Sequence, residues 1–159
     1  MNDTRARIVV TITPTAWDDP DGEALRRAQR TELDARYGND DHEPGGAPIA
    51  DEISVFLVAR DPDGTACGCG ALRQLDATSA EIKRMYVVPT HRGRGVSTAI
   101  LRALEDHART SGWPTLRLET GLLQPDAIRF YEREGYRRIP NFGKYVGVSD
   151  SVCYEKTLA

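Results

Sequence analysis

The sequence predicts an α/β (α+β) fold, a mixed and mostly antiparallel central sheet of about seven strands flanked by helices. Three observations lead there. Strand-like segments at 53–60, 65–76 and 79–88 follow one another with only turn signals between them, as antiparallel neighbours do. A helical pattern over 95–111 then separates strand 79–88 from a short strand at 115–121, a right-handed crossover between two parallel strands. Two terminal strands, near 136–139 and 151–158, close the chain as a hairpin.

The elements follow in order. Ile8, Val10 and Ile12 alternate along an opening strand. Asp21-Gly22 leads into a helix over 23–36, with Leu25, Ala28 and Leu33 on its apolar face. Residues 38–52 are rich in Gly, Pro and acids and read as a loop or a short broken helix, of a length that tends to be functional or mobile. Asp61-Pro62-Asp63-Gly64 is a strong turn, and Pro89 ends the strand before it because its ring removes a ladder donor. In the second helix Val96, Ile100, Leu104 and Ala108 recur every four residues, and Gly112 stands at the C-terminal cap. Leu116, Leu118 and Thr120 share one face of the next strand. Gln124-Pro125 opens a third helix and Gly135 closes it.

At 159 residues the chain suits one domain spanning 1–159. Its 40% hydrophobic and 28% charged content is globular composition. A net charge of -3 is not that of a general nucleic-acid binder. No apolar run approaches the ~20 residues that cross a bilayer, and Met1-Asn2-Asp3-Thr4-Arg5 lacks signal-peptide order. The expectation is a cytoplasmic protein with neither nucleic acid nor membrane as partner. Cys67, Cys69 and Cys153 form no disulfide framework and have no histidines at zinc spacing, so they read as reduced strand residues and no metal is expected.

The sharpest signal is Arg92-Gly93-Arg94-Gly95-Val96-Ser97, where a strand ends, a Gly- and Arg-rich turn follows and a helix begins. Helix-start amides lack internal partners, and the helix dipole adds positive character, so the geometry favours a phosphate. The Rossmann fingerprint and the P-loop ending are both missing.

That loop, the preceding Ala80-Glu81-Ile82-Lys83-Arg84-Met85-Tyr86-Val87-Val88-Pro89 and the later Gln124-Pro125-Asp126-Ala127-Ile128-Arg129-Phe130-Tyr131-Glu132-Arg133-Glu134-Gly135-Tyr136 resemble the GNAT family of N-acetyltransferases. Arg92 and Gly95 match the family's loop; Ser97 departs slightly from its last position but keeps the backbone donor. The resemblance implies two splayed parallel strands forming a cofactor cleft, a cofactor-binding core over 79–136, and substrate-side elements near 15–52 and 140–150. It implies transfer from acetyl-CoA to a primary amine of a small molecule or amino-acid-like acceptor. A protein or peptide acceptor, or a non-catalytic acyl-CoA-binding module, are the alternatives. Met85, Tyr86, Val87, Arg92, Gly93, Arg94, Gly95, Val96, Ser97, Gln124, Ala127 and Tyr131 are then the cofactor contacts, Gln124 serving either the pantetheine amides or the helix cap.

Attack requires a neutral amine, a donor for the developing oxyanion and a proton for the leaving thiolate. The resemblance assigns the proton to Tyr131, beside a core Phe130, and the oxyanion donor to the amide of Val87. Strict alternation puts Glu81, Lys83, Met85 and Val87 on one strand face, making Glu81 a candidate base. Glu119 on the adjacent strand and an ordered water are its rivals. Tyr37 and Tyr145 are candidate acceptor-pocket walls, and Arg73, Lys83 and Arg84 can pair with a substrate carboxylate. Asp40, Asp41, Glu43, Asp51 and Glu52 either attract a cationic amine or simply face water. A homodimer through the terminal strands stays open.

Overall fold

Seven strands in one sheet carry three helices, and a computed structural model of the chain describes them over residues 6–159. The reading of Met1 to Arg5 lies outside the described residues. In chain order the elements are β1 (Thr11–Pro14), α1 (Pro20–Tyr37), β2 (Val55–Arg60), β3 (Ala66–Asp76), β4 (Ser79–Val87), α2 (Val96–Thr110), β5 (Thr115–Gly121), α3 (Pro125–Arg133), β6 (Arg137–Ile139) and β7 (Ser151–Thr157). The spatial order is β1-β2-β3-β4-β5-β7-β6. β4 and β5 pair parallel and all other neighbours antiparallel.

Local chemistry explains most boundaries. α1 starts three residues before its apolar pattern because Asp19 accepts from the Gly22 amide at 3.1 Å and Pro20 suits the first turn. β1 starts at Thr11, later than Ile8, because the Ile8 amide is bonded to the Arg94 carbonyl at 3.0 Å instead of to the sheet. The hairpin at the chain's end is present, but β7 slots between β5 and β6.

Two apolar clusters cover the two sheet faces. Ile100, Leu101, Leu104 and Ala108 of α2 pack with Leu72, Ile82, Leu116 and Leu118, all within 4% exposure. Each large side chain there contributes roughly 1.5–3 kcal/mol by burial. Leu25 of α1 packs on the opposite face with Phe56, Val58, Ala71 and Tyr86. Gly70 lets helix and sheet close up, since a Cβ there would lie 2.9 Å from Ile100 Cγ2 and 2.7 Å from Met85 Sδ. The three cysteines are buried on β3 and β7.

β4 departs from strict alternation. Ala71 faces Lys83 while Cys69 faces Tyr86, so β4 holds one extra residue there, with Arg84 at φ 58. Such a bulge reverses the faces beyond it. Lys83 stays on the α1 side opposite Ala71, whereas Met85 and Val87 pack in the cluster beneath α2. The expected common face of Glu81, Lys83, Met85 and Val87 is therefore corrected: it ends at the bulge.

A buried polar knot ties α2, the segment after α3 and β7. Glu105 of α2, 1% exposed, accepts from Tyr136 Oη at 2.9 Å, Lys156 Nζ at 2.9 Å and Arg102 Nη1 at 2.6 Å. Burial opposes its ionisation, but these three donors outweigh burial and hold the carboxyl below its ordinary value. Because the folded value is depressed, this stabilisation is present at neutral pH and is lost as the pH falls through that value. Glu105→Gln keeps the shape and removes the charge, with an expected loss of about 2 kcal/mol. Urea unfolding should show a lower midpoint at unchanged slope.

Candidate active site

The site begins where β4 and β5 part. Their parallel register holds only at Ser79↔Thr115, Ala80↔Leu116 and Glu81↔Arg117, and β5 continues to Gly121 paired with β7 alone. The Val88 amide donates to the Cys67 carbonyl at 2.9 Å. Because bonds alternate sides along an antiparallel ladder, the neighbouring Val87 amide faces away from β3, into the gap.

The loop after β4 is built for an anion. Gly93 at φ 73 and Gly95 at φ 87 adopt the left-handed backbone that glycine permits. Among the described residues, the amides from Gly93 to Thr98 find no internal acceptor, as expected of a helix start. Those of Gly93, Gly95, Val96, Ser97 and Thr98 border a hollow of about 500 Å³ shared with Arg7, Phe130, Arg133 and Glu134.

Four hollows adjoin in sequence. Arg92, Ser97 and Phe130 line both the loop hollow and a channel of about 210 Å³ walled by Met85, Val87, Gln124 and Tyr131. Met85, Gln124, Ala127 and Tyr131 continue into the cleft between the splayed strands, where Lys83, Arg84, Glu119 and Thr120 join them. His42, Glu43 and Glu119 then open onto an outer hollow of about 430 Å³, which Tyr37, Asp41 and Asp150 also line.

Tyr131 sits at the junction of channel and cleft. It is 6% exposed and wedged edge-on between Phe130 and Tyr136, with ring centroids at 5.1 and 5.7 Å. Burial raises its pKa, so the hydroxyl keeps its proton throughout the neutral range. Phe130 itself is only half-buried and lines the channel, which corrects its reading as a core residue.

The candidate bases separate clearly. Glu81 is fully buried and lines none of the four hollows. Tyr145 Oη donates to its Oε2 at 2.6 Å, and Arg73 reaches its Oε1 at 3.4 Å. Glu119 faces both the cleft and the outer hollow and accepts from Ser151 Oγ at 2.6 Å. Burial first, then the nearby carboxylates Glu81 and Glu43, push its pKa up, against the pull of Ser151 and Lys83.

The other sequence candidates distribute unevenly. Tyr37 walls the outer hollow and stacks on His42 at 5.1 Å. Tyr145 and Arg73 lie with Glu81, behind the cleft instead of on its wall; Lys83 Nζ bridges to Tyr145 Oη at 3.0 Å. Gln124 makes no cap to α3; its Nε2 donates to Tyr37 Oη at 3.3 Å. Arg92 is held by two 2.9 Å bonds to Glu32 and donates from Nε to the Val87 carbonyl at 2.9 Å. Arg94 turns away and donates to the Ala6 carbonyl at 2.9 Å. The three thiols are raised by burial, Cys69 to about 12, which leaves them protonated and poor nucleophiles.

Sequence reasoning missed three residues: Arg7, Gln29 and Glu32. Gln29 and Glu32 lie one helical turn apart on α1, the spacing that marks a common face. Gln29 Nε2 donates to the Met85 carbonyl at 2.9 Å, while its Oε1 is buried without a partner on the channel wall. An amide N–H in the channel, such as pantetheine carries, suits that orphaned acceptor.

Among known proteins, a Klebsiella pneumoniae crystal structure described as a candidate acyl-CoA N-acyltransferase is 38% identical, with a TM-score of 0.79, covering 95% of this chain and 99% of that one. An IAA acetyltransferase of Azospirillum brasilense is 40% identical over 104 residues, 65% of this chain and 67% of its own. A GNAT acetyltransferase of Elizabethkingia anophelis, solved with acetyl-CoA bound, shares the fold at 18% identity and a TM-score of 0.69, covering 94% of this chain and 98% of its own. The sequence model of the acetyltransferase (GNAT) family matches residues 15–136. With that match laid over the splayed strands and the glycine loop, the chain belongs to the GNAT family of acyl-CoA-dependent N-acetyltransferases.

Proposed function

We propose that the protein moves an acetyl group from acetyl-CoA to a primary amine of a small molecule by direct transfer. One observation carries this reading: a continuous path joins the orphaned amides of the glycine loop to an acceptor hollow, with Tyr131 and Glu119 lining the cleft between. Acetyl-CoA supplies an activated acetyl thioester when bound.

The residues divide the work. The loop amides hold the diphosphate, and Gln29 and Gln124 are placed along the channel for the pantetheine amides. The Val87 amide stabilises charge developing on the acetyl oxygen. Glu119 takes a proton from the acceptor nitrogen, and its raised pKa makes it a stronger base than an ordinary carboxylate. Tyr131 gives its proton to the departing sulfur and is reprotonated from solvent. In going from ammonium to amide the nitrogen releases two protons: the sulfur gains one by way of Tyr131, and the other passes to water. Glu81 serves as a buried anchor for Tyr145 and Lys83 beneath the acceptor side.

A small acceptor is favoured because loop residues Asp41, His42 and Glu43 and the segment Val148 to Ser151 bound the acceptor hollow. Free-thiol release from acetyl-CoA across primary amines, amino acids and peptides tests the reading. Turnover with small amines is expected. Turnover with peptides alone moves the acceptor class to proteins, and CoA binding without thiol release leaves only a binding module.

A further inference from the structure

We infer that Arg7, carried on a strap before β1, is a phosphate ligand for the nucleotide half of the CoA cofactor. The inference rests on the acyl-CoA reading above but concerns a residue outside the matched family region, which begins at residue 15. Two hydrogen bonds fasten the strap to the glycine loop: the Ile8 amide donates to the Arg94 carbonyl at 3.0 Å, and the Arg94 side chain donates from Nε to the Ala6 carbonyl at 2.9 Å. Ile8 and Val10 pack against the core beside it, so the strap is anchored by apolar contact as well. Arg7 lies between the two bonded positions, with Nη1 3.2 Å from where a Cβ would project on Gly95. Its guanidinium thus stands over the turn whose amides lack partners, on the wall of the loop hollow.

The other cations of that hollow have acidic neighbours. Arg92 is bound by Glu32, His91 by Asp61 at 3.0 Å, and Arg133 lies 3.5 Å from Glu134. Arg7 has no acidic partner among the described residues. An exposed guanidinium beside a row of unpaired amides is complementary to phosphate, which accepts charge-assisted bonds from both. CoA offers two such groups, the diphosphate and the 3′-phosphate, and both carry the same chemistry.

Calorimetric titration with CoA and with 3′-dephospho-CoA distinguishes them. Arg7→Ala should weaken CoA binding about 10-fold, with an unchanged melting temperature because the side chain is exposed. If the 10-fold difference persists with 3′-dephospho-CoA, the diphosphate is the ligand; if it vanishes, the 3′-phosphate is. Equal affinity of wild type and Arg7→Ala for both nucleotides overturns the assignment. Failure of the wild type to bind CoA at all would instead sink the acyl-CoA reading on which it rests.

Discussion

Tyr131→Phe is expected to lower kcat about 10²- to 10³-fold, the scale of a lost general acid, with little change in KM for acetyl-CoA. The substitution removes one oxygen and nothing else. The ring remains wedged between Phe130 and Tyr136 and within the main apolar cluster. The hydroxyl makes no internal hydrogen bond among the described residues, so its removal leaves no partner stranded. Stability should therefore hold while turnover collapses, a split that a packing role does not produce. Steady-state kinetics beside a thermal melt make the comparison. A variant with wild-type kcat removes Tyr131 from the chemistry.

Glu119→Gln is the second large effect, again about 10²- to 10³-fold in kcat, with a pH signature of its own. The wild-type rate should fall as the pH drops through the Glu119 pKa, which burial raises from its ordinary value. The amide variant should lack that limb. Stability should move the other way. The folded chain holds the Glu119 proton more tightly than the unfolded chain, so unfolding releases a proton between the ordinary and the raised values, and stability declines as pH rises across that window. Above it the burial penalty is fully in force, and a neutral glutamine that still bonds Ser151 escapes it. At neutral pH the variant should be at least as stable as wild type while being nearly inactive. The companion substitution Glu81→Gln should act mainly on stability, since Glu81 touches Tyr145 and Arg73 and lines none of the four hollows. A Glu81 variant that loses the acidic limb while the Glu119 variant keeps it would reverse the two roles.

Much of this architecture is legible in the chain. Turn residues such as Asp61-Pro62-Asp63-Gly64, the four-residue spacing from Val96 to Ala108 and the proline after Gln124 act over a few residues, and each placed its element within a few positions of where it lies. The glycine loop was legible for the same reason, a left-handed turn before a helix start being local chemistry, whereas Tyr131 was singled out by the family resemblance of the residues around it. The different surroundings of Glu81 and Glu119 were not legible, because both lie on adjacent strands and only tertiary packing buries one beneath Tyr145 and leaves the other on the cleft wall.

The sequence by itself determined the fold class, the order of elements and the glycine turn before the second helix, since these follow from periodicity and from backbone freedom at single residues. Only the tertiary structure decided which way the side chains of β4 point beyond Arg84, because one inserted residue reverses the faces and leaves no mark in the hydrophobic pattern. It also decided that Arg92 meets Glu32, that Arg94 meets Ala6 and that Arg7 stands over Gly95. Those contacts join positions some sixty to ninety residues apart. Their geometry depends on how whole elements pack, which no local rule encodes.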